Sequence, residues 1–374
     1  MKNKDYAEIY VHIPFCARKC DYCDFVSFVG CKDKFDAYFK SLKNQIEKTG
    51  ETVGRVPIVS CFFGGGTPSV PDSSYIIGVL RTLKETFDFM DDAEVTIEVN
   101  PNSANLDKLK EYRKAGFNRL SIGLQSANDN ELKALTRLHT YDEFLETYKN
   151  AREAGFDNIN IDLMSAIPNQ TLASYRETLN KVIALNPEHI SAYSLILEEG
   201  TLFYEKYAEN PPVSEDEDRE MYYLTKDILA KAGYNRYEIS NYSKEGYECK
   251  HNLGYWKRVP YFGFGIAAAS LYKETRFQMH NDLDKFIEED YSSDTIILTK
   301  KECMEEFMFL GLRLTSGVSI KEFNDEFEVD LKEYYKDEIE KLKNEQLLEE
   351  KDGRIFLNDK GLDLANYCMS EFIK

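Results

Sequence analysis

His12-Ile13-Pro14-Phe15-Cys16-Ala17-Arg18-Lys19-Cys20-Asp21-Tyr22-Cys23 carries three thiols within eight residues, spaced C-x3-C-x2-C, just after an apolar run that reads as the first strand. Thiolates are soft donors, so three of them on one loop suit an iron–sulfur cluster or a soft metal ion. Zinc is the rival. A structural zinc site takes four protein ligands, and His12 is the nearest fourth, although a strand residue four positions back need not reach. Idle thiols are the bland alternative. Cys16, Cys20 and Cys23 on a [4Fe–4S] cluster would leave one iron open to a ligand from outside the protein. Cys31, Cys61, Cys249, Cys303 and Cys368 are scattered and read as buried or idle thiols.

Outward from this loop, β-rich runs alternate with amphipathic ones. The predicted strands are Ile9–Ile13, Ile58–Phe63, Val95–Val99, Arg119–Gly123, Ile159–Leu163 and Ile190–Leu195. Between them lie predicted helices over Phe35–Lys48, Tyr75–Phe87, Leu106–Ala115, Tyr141–Ala154 and Leu172–Leu185. Six such units imply an α/β fold with a parallel sheet and right-handed crossovers. A curved, partial (β/α) barrel and a doubly wound sheet both fit, and both gather their chemistry at the C-terminal strand ends. Gly200–Asp216 reads as a loop and Arg219–Ala232 as a helix. Past about Lys300 the pattern is Lys301–Leu312, Ile320–Phe327 and Leu331–Glu345 as helices. A hairpin of Leu347–Glu350 and Arg354–Leu357, turning at Asp352-Gly353, follows. That outline is winged-helix-like. The expected organisation is a barrel over 1–240, a linking segment over 241–299 and a small C-terminal domain over 300–374.

The 374 residues carry a net charge of −19, and no basic cluster offsets it, so nucleic acid is not an expected partner. The opening MKNKDYAEIY lacks an apolar signal core, and no apolar run is long enough to span a membrane. A cytoplasmic chain with reduced thiols is expected.

Polar residues recur where strand ends should be apolar. Phe63-Gly64-Gly65-Gly66-Thr67-Pro68 follows the second strand, and its glycines suit either a tight turn or backbone N–H groups bared to a ligand. Glu98, Gln125 and Asp162 sit at or near the ends of the next three strands. A charge inside a parallel strand is costly unless it is paired.

C-x3-C-x2-C after the first strand of a (β/α) barrel resembles the radical SAM superfamily. The resemblance implies a partial (β/α)6 barrel whose open iron is chelated by S-adenosylmethionine, which one-electron reduction cleaves to a 5′-deoxyadenosyl radical. It implies a cradle for S-adenosylmethionine made of Tyr10, Tyr22, Gly65, Gly66, Thr67, Glu98, Gln125, Arg137 and Asp162, with Arg137 placed to neutralise the ligand carboxylate. The stretches Tyr10–Cys16, Gly64–Pro68, Arg119–Gln125, His189–Leu195 and Glu305–Leu314 are similar to the coproporphyrinogen oxidase-like branch, and within it to the HemW type more than the HemN type. HemN-type enzymes carry a further Cys two residues past the third, and here that residue is Phe25, which disfavours the dehydrogenase reaction. The HemW type carries His-Asn-x-x-Tyr-Trp, present as His251-Asn252-Leu253-Gly254-Tyr255-Trp256, which implies His251 as a haem ligand. The implied function is a haem chaperone that binds haem as cargo and passes it to a haem-accepting protein. The alternative is a radical enzyme acting on a tetrapyrrole with an electron donor. Two departures stand out: Ala269 replaces the usual His, and Ser165–Gln170 replaces Tyr-Gly-Leu-Pro-Gly-Gln near the expected pocket mouth.

Overall fold

The computed structural model describes residues 4–374; the first three residues of the expected 1–240 unit lie outside it. Six parallel strands stand in chain order: β1 Ala7–Ile13, β2 Pro57–Gly65, β3 Asp88–Val99, β4 Arg119–Gln125, β5 Ile159–Ser165 and β6 His189–Ser194. Each is followed by helix, as the alternating pattern demands. Helices Phe35–Val53, Ser73–Thr86, Leu106–Ala115, Tyr141–Glu153 and Leu172–Ala184 cover the outside. Their starts are set by local chemistry: Thr140 with Glu143, and Thr171 with Ser174, form reciprocal capping boxes. Gly116, left-handed at φ 109°, ends the third of these helices. The sheet is open, as in a partial (β/α)6 barrel.

The sheet extends beyond these six strands. Tyr261–Phe264 pairs parallel to β1, and Ala269–Tyr272, Thr275–Met279 and Ser293–Ile297 continue antiparallel to the edge. Residues 241–299 therefore build part of the main sheet as well as connecting it. Between Asn241–Ser243 and Tyr261–Phe264, the short helix Lys250–Trp256 packs on β2.

A second apolar core, from Cys303 to Phe372, belongs to the C-terminal region. Here Lys300–Gly311, Ile320–Phe327 and a three-stranded sheet of Val318–Ser319, Leu348–Lys351 and Arg354–Leu357 make the winged-helix-like unit. The single helix expected over Leu331–Glu345 is broken into Leu331–Tyr334 and Lys336–Asn344. The break falls at Tyr335, whose buried ring packs on Phe323 and Phe372. Gly200–Asp216 is not all loop: Thr201 caps the short helix Leu202–Tyr207. Among the described residues no helix is long and apolar enough to cross a membrane.

Arg258 joins the two cores. Its guanidinium, 3% exposed, pairs with Glu274 at 2.7 Å, Glu306 at 3.0 Å and Glu326 at 3.6 Å. Removing one member of a buried ionic cluster strands the others. Arg258→Ala is expected to lower the unfolding free energy by about 3–5 kcal/mol in urea denaturation.

Candidate functional site

The cysteine loop is stapled to the glycine loop by backbone. Gly66 N–H donates to Ile13 O at 2.9 Å and Thr67 N–H to Phe15 O at 2.8 Å. The Gly65 amide bonds Glu98. These amides are thus engaged, and of the two readings open to the loop it is close packing rather than bared donors that the geometry supports. The glycines serve close approach instead. A Cβ on Gly66 would meet Ile13 O and Phe15 N at 2.9 Å, and one on Gly65, at φ +106°, would meet the His12 ring at 2.5 Å.

His12 is spoken for. Its Nε2 bonds Val26 O at 2.8 Å, tying down the far end of the cysteine loop, and its Nδ1 bonds Tyr10 Oη at 3.1 Å. It is not a fourth metal ligand here. The three cysteines are half-buried free thiols. A polar chain links two of them. Cys16 Sγ lies 3.5 Å from Thr67 Oγ1, and Asn100 Nδ2 donates to that oxygen at 2.9 Å. Arg137 Nη2 donates to Asn100 Oδ1 at 2.7 Å, while its Nη1 points to Cys20 Sγ at 3.9 Å. Asn100 went unremarked in the sequence, although an Asn-Pro pair directly after a strand marks a turn at the rim.

A cavity of about 750 Å³ opens beside this loop and runs down the inside of the sheet. It brings together Tyr10, Tyr22, Cys23, Gly65, Gly66, Thr67, Glu98, Gln125, Arg137, Asp162 and His251, so every expected cradle residue lines one space. Cys16 and Cys20 instead face a second cavity of about 540 Å³ on the other side of the loop, which shares Thr67, Asn100 and Arg137 with the first. Ser165–Gln170 does not line the main cavity; the Gln170 amide is turned to Glu131 at 3.2 Å. Phe25 is exposed at the mouth, and Ala269 lines the wall.

The electrostatics follow from desolvation. Burial, and then the neighbouring Asp162, push the Glu98 carboxyl up to about 8. Asp162 is raised by burial and eased by hydrogen bonds from Asn160 at 2.8 Å and Ser121 at 3.0 Å. Gln125, left-handed at φ 71°, accepts from Tyr193 Oη at 3.3 Å. On the floor, His251 is buried and its imidazole is held down to about 3, chiefly by desolvation. Its Nδ1 bonds Ser60 Oγ at 2.9 Å and its Nε2 bonds Tyr255 Oη at 3.1 Å. Glu94 accepts the backbone N–H groups of Lys250 and His251, fixing the start of that helix. Glu8, beneath, packs so tightly on Gly254 that a Cβ there would lie 2.0 Å from its carboxylate.

Residues 10–182 match the radical SAM superfamily, and residues 298–364 match the HemN C-terminal domain. The heme chaperone HemW of Lactococcus lactis is 34% identical over 97% of this chain and 96% of its own length. That of Bacillus subtilis is 34% identical over 97% and 98%. The chain belongs to the HemW family, within the radical SAM superfamily. Coproporphyrinogen III oxidase HemN from Escherichia coli superposes with a TM-score of 0.88, covering 99% of this chain and 91% of that one; at 23% identity this is a likeness of fold. Membership of the radical SAM superfamily implies a [4Fe–4S] cluster and S-adenosylmethionine. The residues of this HemW-family chain fit both. The donor set is three free thiols, and a cluster takes a thiolate on each of several irons, so they need not meet at a point. Buried carboxyls raised by desolvation suit a cationic ligand.

The crowding at Gly65 and the open space at Gly78 make a matched test. Gly65→Ala is expected to cost about 1–3 kcal/mol. Gly78→Ala, in a helix with nothing within 4 Å of the new Cβ, should gain about 0.5–1 kcal/mol. Thermal melts of the two variants check this.

Proposed function

We propose that this chain is a haem carrier. It binds haem as cargo and passes it to a haem-accepting protein, with a [4Fe–4S] cluster on Cys16, Cys20 and Cys23 and S-adenosylmethionine in the cradle. The observation that carries the reading is one continuous cavity, reaching from Cys23 and the cradle residues to the aromatic floor around His251, in a chain similar along nearly its whole length to proteins named heme chaperone HemW. A cytoplasmic setting and a one-electron donor for the cluster belong to the same reading.

When bound, the cluster and S-adenosylmethionine supply one-electron chemistry. The protein's part is to hold the ligand. Gly65, Gly66 and Thr67 form one wall. Arg137, held through Nη2 by Asn100 and Gly123, would offer its remaining donors to a carboxylate. Glu98 and Asp162 would offset the positive charge of the ligand, while Gln125, Tyr10 and Tyr22 would bound the remainder. His251 supplies an imidazole kept neutral by burial. Neutral imidazole is the form that ligates iron, so no proton competes. To reach iron, Nε2 must leave Tyr255 Oη.

Two expectations follow. With Glu98 raised to about 8, it is largely protonated at pH 7 before the cation arrives, and the sulfonium favours the carboxylate. S-adenosylmethionine binding should therefore release a proton and tighten as pH rises toward about 8. Calorimetry in buffers of different ionisation enthalpy reads this, and Glu98→Gln should abolish it. For the cargo, an anaerobic haem titration of the cluster-loaded protein should saturate near one equivalent. His251→Ala should lose most of that binding. Tyr255→Phe, which frees Nε2, should tighten it by about 3–10-fold, the worth of one hydrogen bond. Unsaturable haem binding by the wild type would overturn the carrier reading.

A further inference from the structure

Two arginines line the main cavity with a buried, unpartnered Nε, Arg119 and Arg137; Arg137 is held through Nη2 by Asn100 and Gly123, whereas Arg119 has no carboxylate closer than 3.9 Å. Arg119 is 2% exposed and is the first residue of β4. The Arg119 Nε is buried without a partner. Its nearest carboxylate oxygen, Glu94 Oε2, stands 3.9 Å away and already accepts the Lys250 amide. Asp162, the other carboxylate in range, is taken up by Ser121 and Asn160. Arg258 gives the measure of the anomaly, since that buried guanidinium holds carboxylates at 2.7 and 3.0 Å. Buried guanidinium groups are normally hydrogen-bonded, because stranding their donors costs several kilocalories.

Arg119 lies on a cross-strand row. Register pairs Tyr10 with Phe62, Phe62 with Thr96, and Thr96 with Arg119. Thr96 Oγ1 on this row is also buried without a partner. Tyr10 and Phe62 stack at 6.4 Å, Phe62 and His251 at 5.3 Å, and Tyr255 meets His251 edge-on at 4.8 Å. Tyr10, Phe62, His251, Tyr255 and Arg119 all line the main cavity. An aromatic wall beside a buried cation that keeps an unsatisfied donor suits a flat aromatic acid.

We propose that this inner end of the cavity is the cargo subsite, with the porphyrin among these aromatic side chains and a propionate carboxylate on Arg119. The inference rests on the carrier reading and adds how the cargo is recognised. A carboxylate on the guanidinium satisfies the Nε donor that otherwise stays unpaired. An esterified propionate lacks the negative charge and loses the charge-assisted bonds.

The test is a pair of anaerobic absorbance titrations, with iron protoporphyrin IX and with its dimethyl ester, on wild type, Arg119→Gln and Arg119→Lys. The wild type should bind the free acid at least about tenfold more tightly than the ester, the scale of one charge-assisted pair. Arg119→Gln should bind the two alike. Arg119→Lys, which keeps the charge without the fork, should retain an intermediate preference, and it serves if the glutamine variant fails to melt cooperatively. Equal binding of acid and ester by wild type overturns the Arg119 assignment while leaving the carrier intact. So does a preference that survives in Arg119→Gln. Failure of both ligands to saturate wild type removes the carrier reading, and this inference with it.

Discussion

Two backbone hydrogen bonds, Gly66 to Ile13 and Thr67 to Phe15, fix the relation between the cysteine loop and the rest of the rim. They seat the end of the second strand directly on the residue before Cys16, with no room for a side chain. The polar chain from Cys16 through Thr67, Asn100 and Arg137 to Cys20 is built on that contact. The cavity opens where it does because the staple holds the loop over the C-terminal ends of the strands, the usual place for chemistry in such folds.

Below the rim, the interior of the sheet is polar at a cost. Glu8, Glu94, Arg119, Asp162, His189 and His251 are buried or line the inner cavity. Most have partners. His189 bonds Asn160 at 2.6 Å and Tyr237 at 2.8 Å, and Glu94 caps the helix of the His-Asn-x-x-Tyr-Trp motif. That motif holds the cavity floor by the same residues that would meet a cargo. Its far side is tied to the C-terminal region, where Arg313 lies over the Trp256 ring at 4.2 Å. Floor and terminal unit are therefore mechanically continuous.

Much of this was legible in the sequence, for physical reasons. Strict strand–helix alternation exposes a parallel sheet, and glycine ends and capping residues mark boundaries, so Leu106–Ala115 and Ile320–Phe327 were readable to the residue. That Glu98 and Asp162 would meet at one cavity was readable because carboxylates are out of place in buried strands. What escaped depends on contacts between distant segments. Nothing local in Leu331–Glu345 announces a break, because Tyr335 turns into a core assembled from Phe323 and Phe372. The acceptors of the glycine-loop amides are distant in the chain, Ile13 O for Gly66, Phe15 O for Thr67 and Glu98 for Gly65, so nothing local showed them to be engaged. That Arg119 Nε finds no hydrogen-bond partner depends on all its neighbours at once.

Handover of haem to an acceptor is what separates a carrier from a protein that only binds haem. Its most direct test is the rate at which haem leaves the loaded protein for an apo-haem protein, followed anaerobically by stopped-flow absorbance over a range of acceptor concentrations. Direct transfer predicts an observed rate that rises with acceptor concentration above the spontaneous dissociation rate. A rate fixed at spontaneous dissociation, whatever the acceptor concentration, would contradict it and leave a protein that binds haem without delivering it.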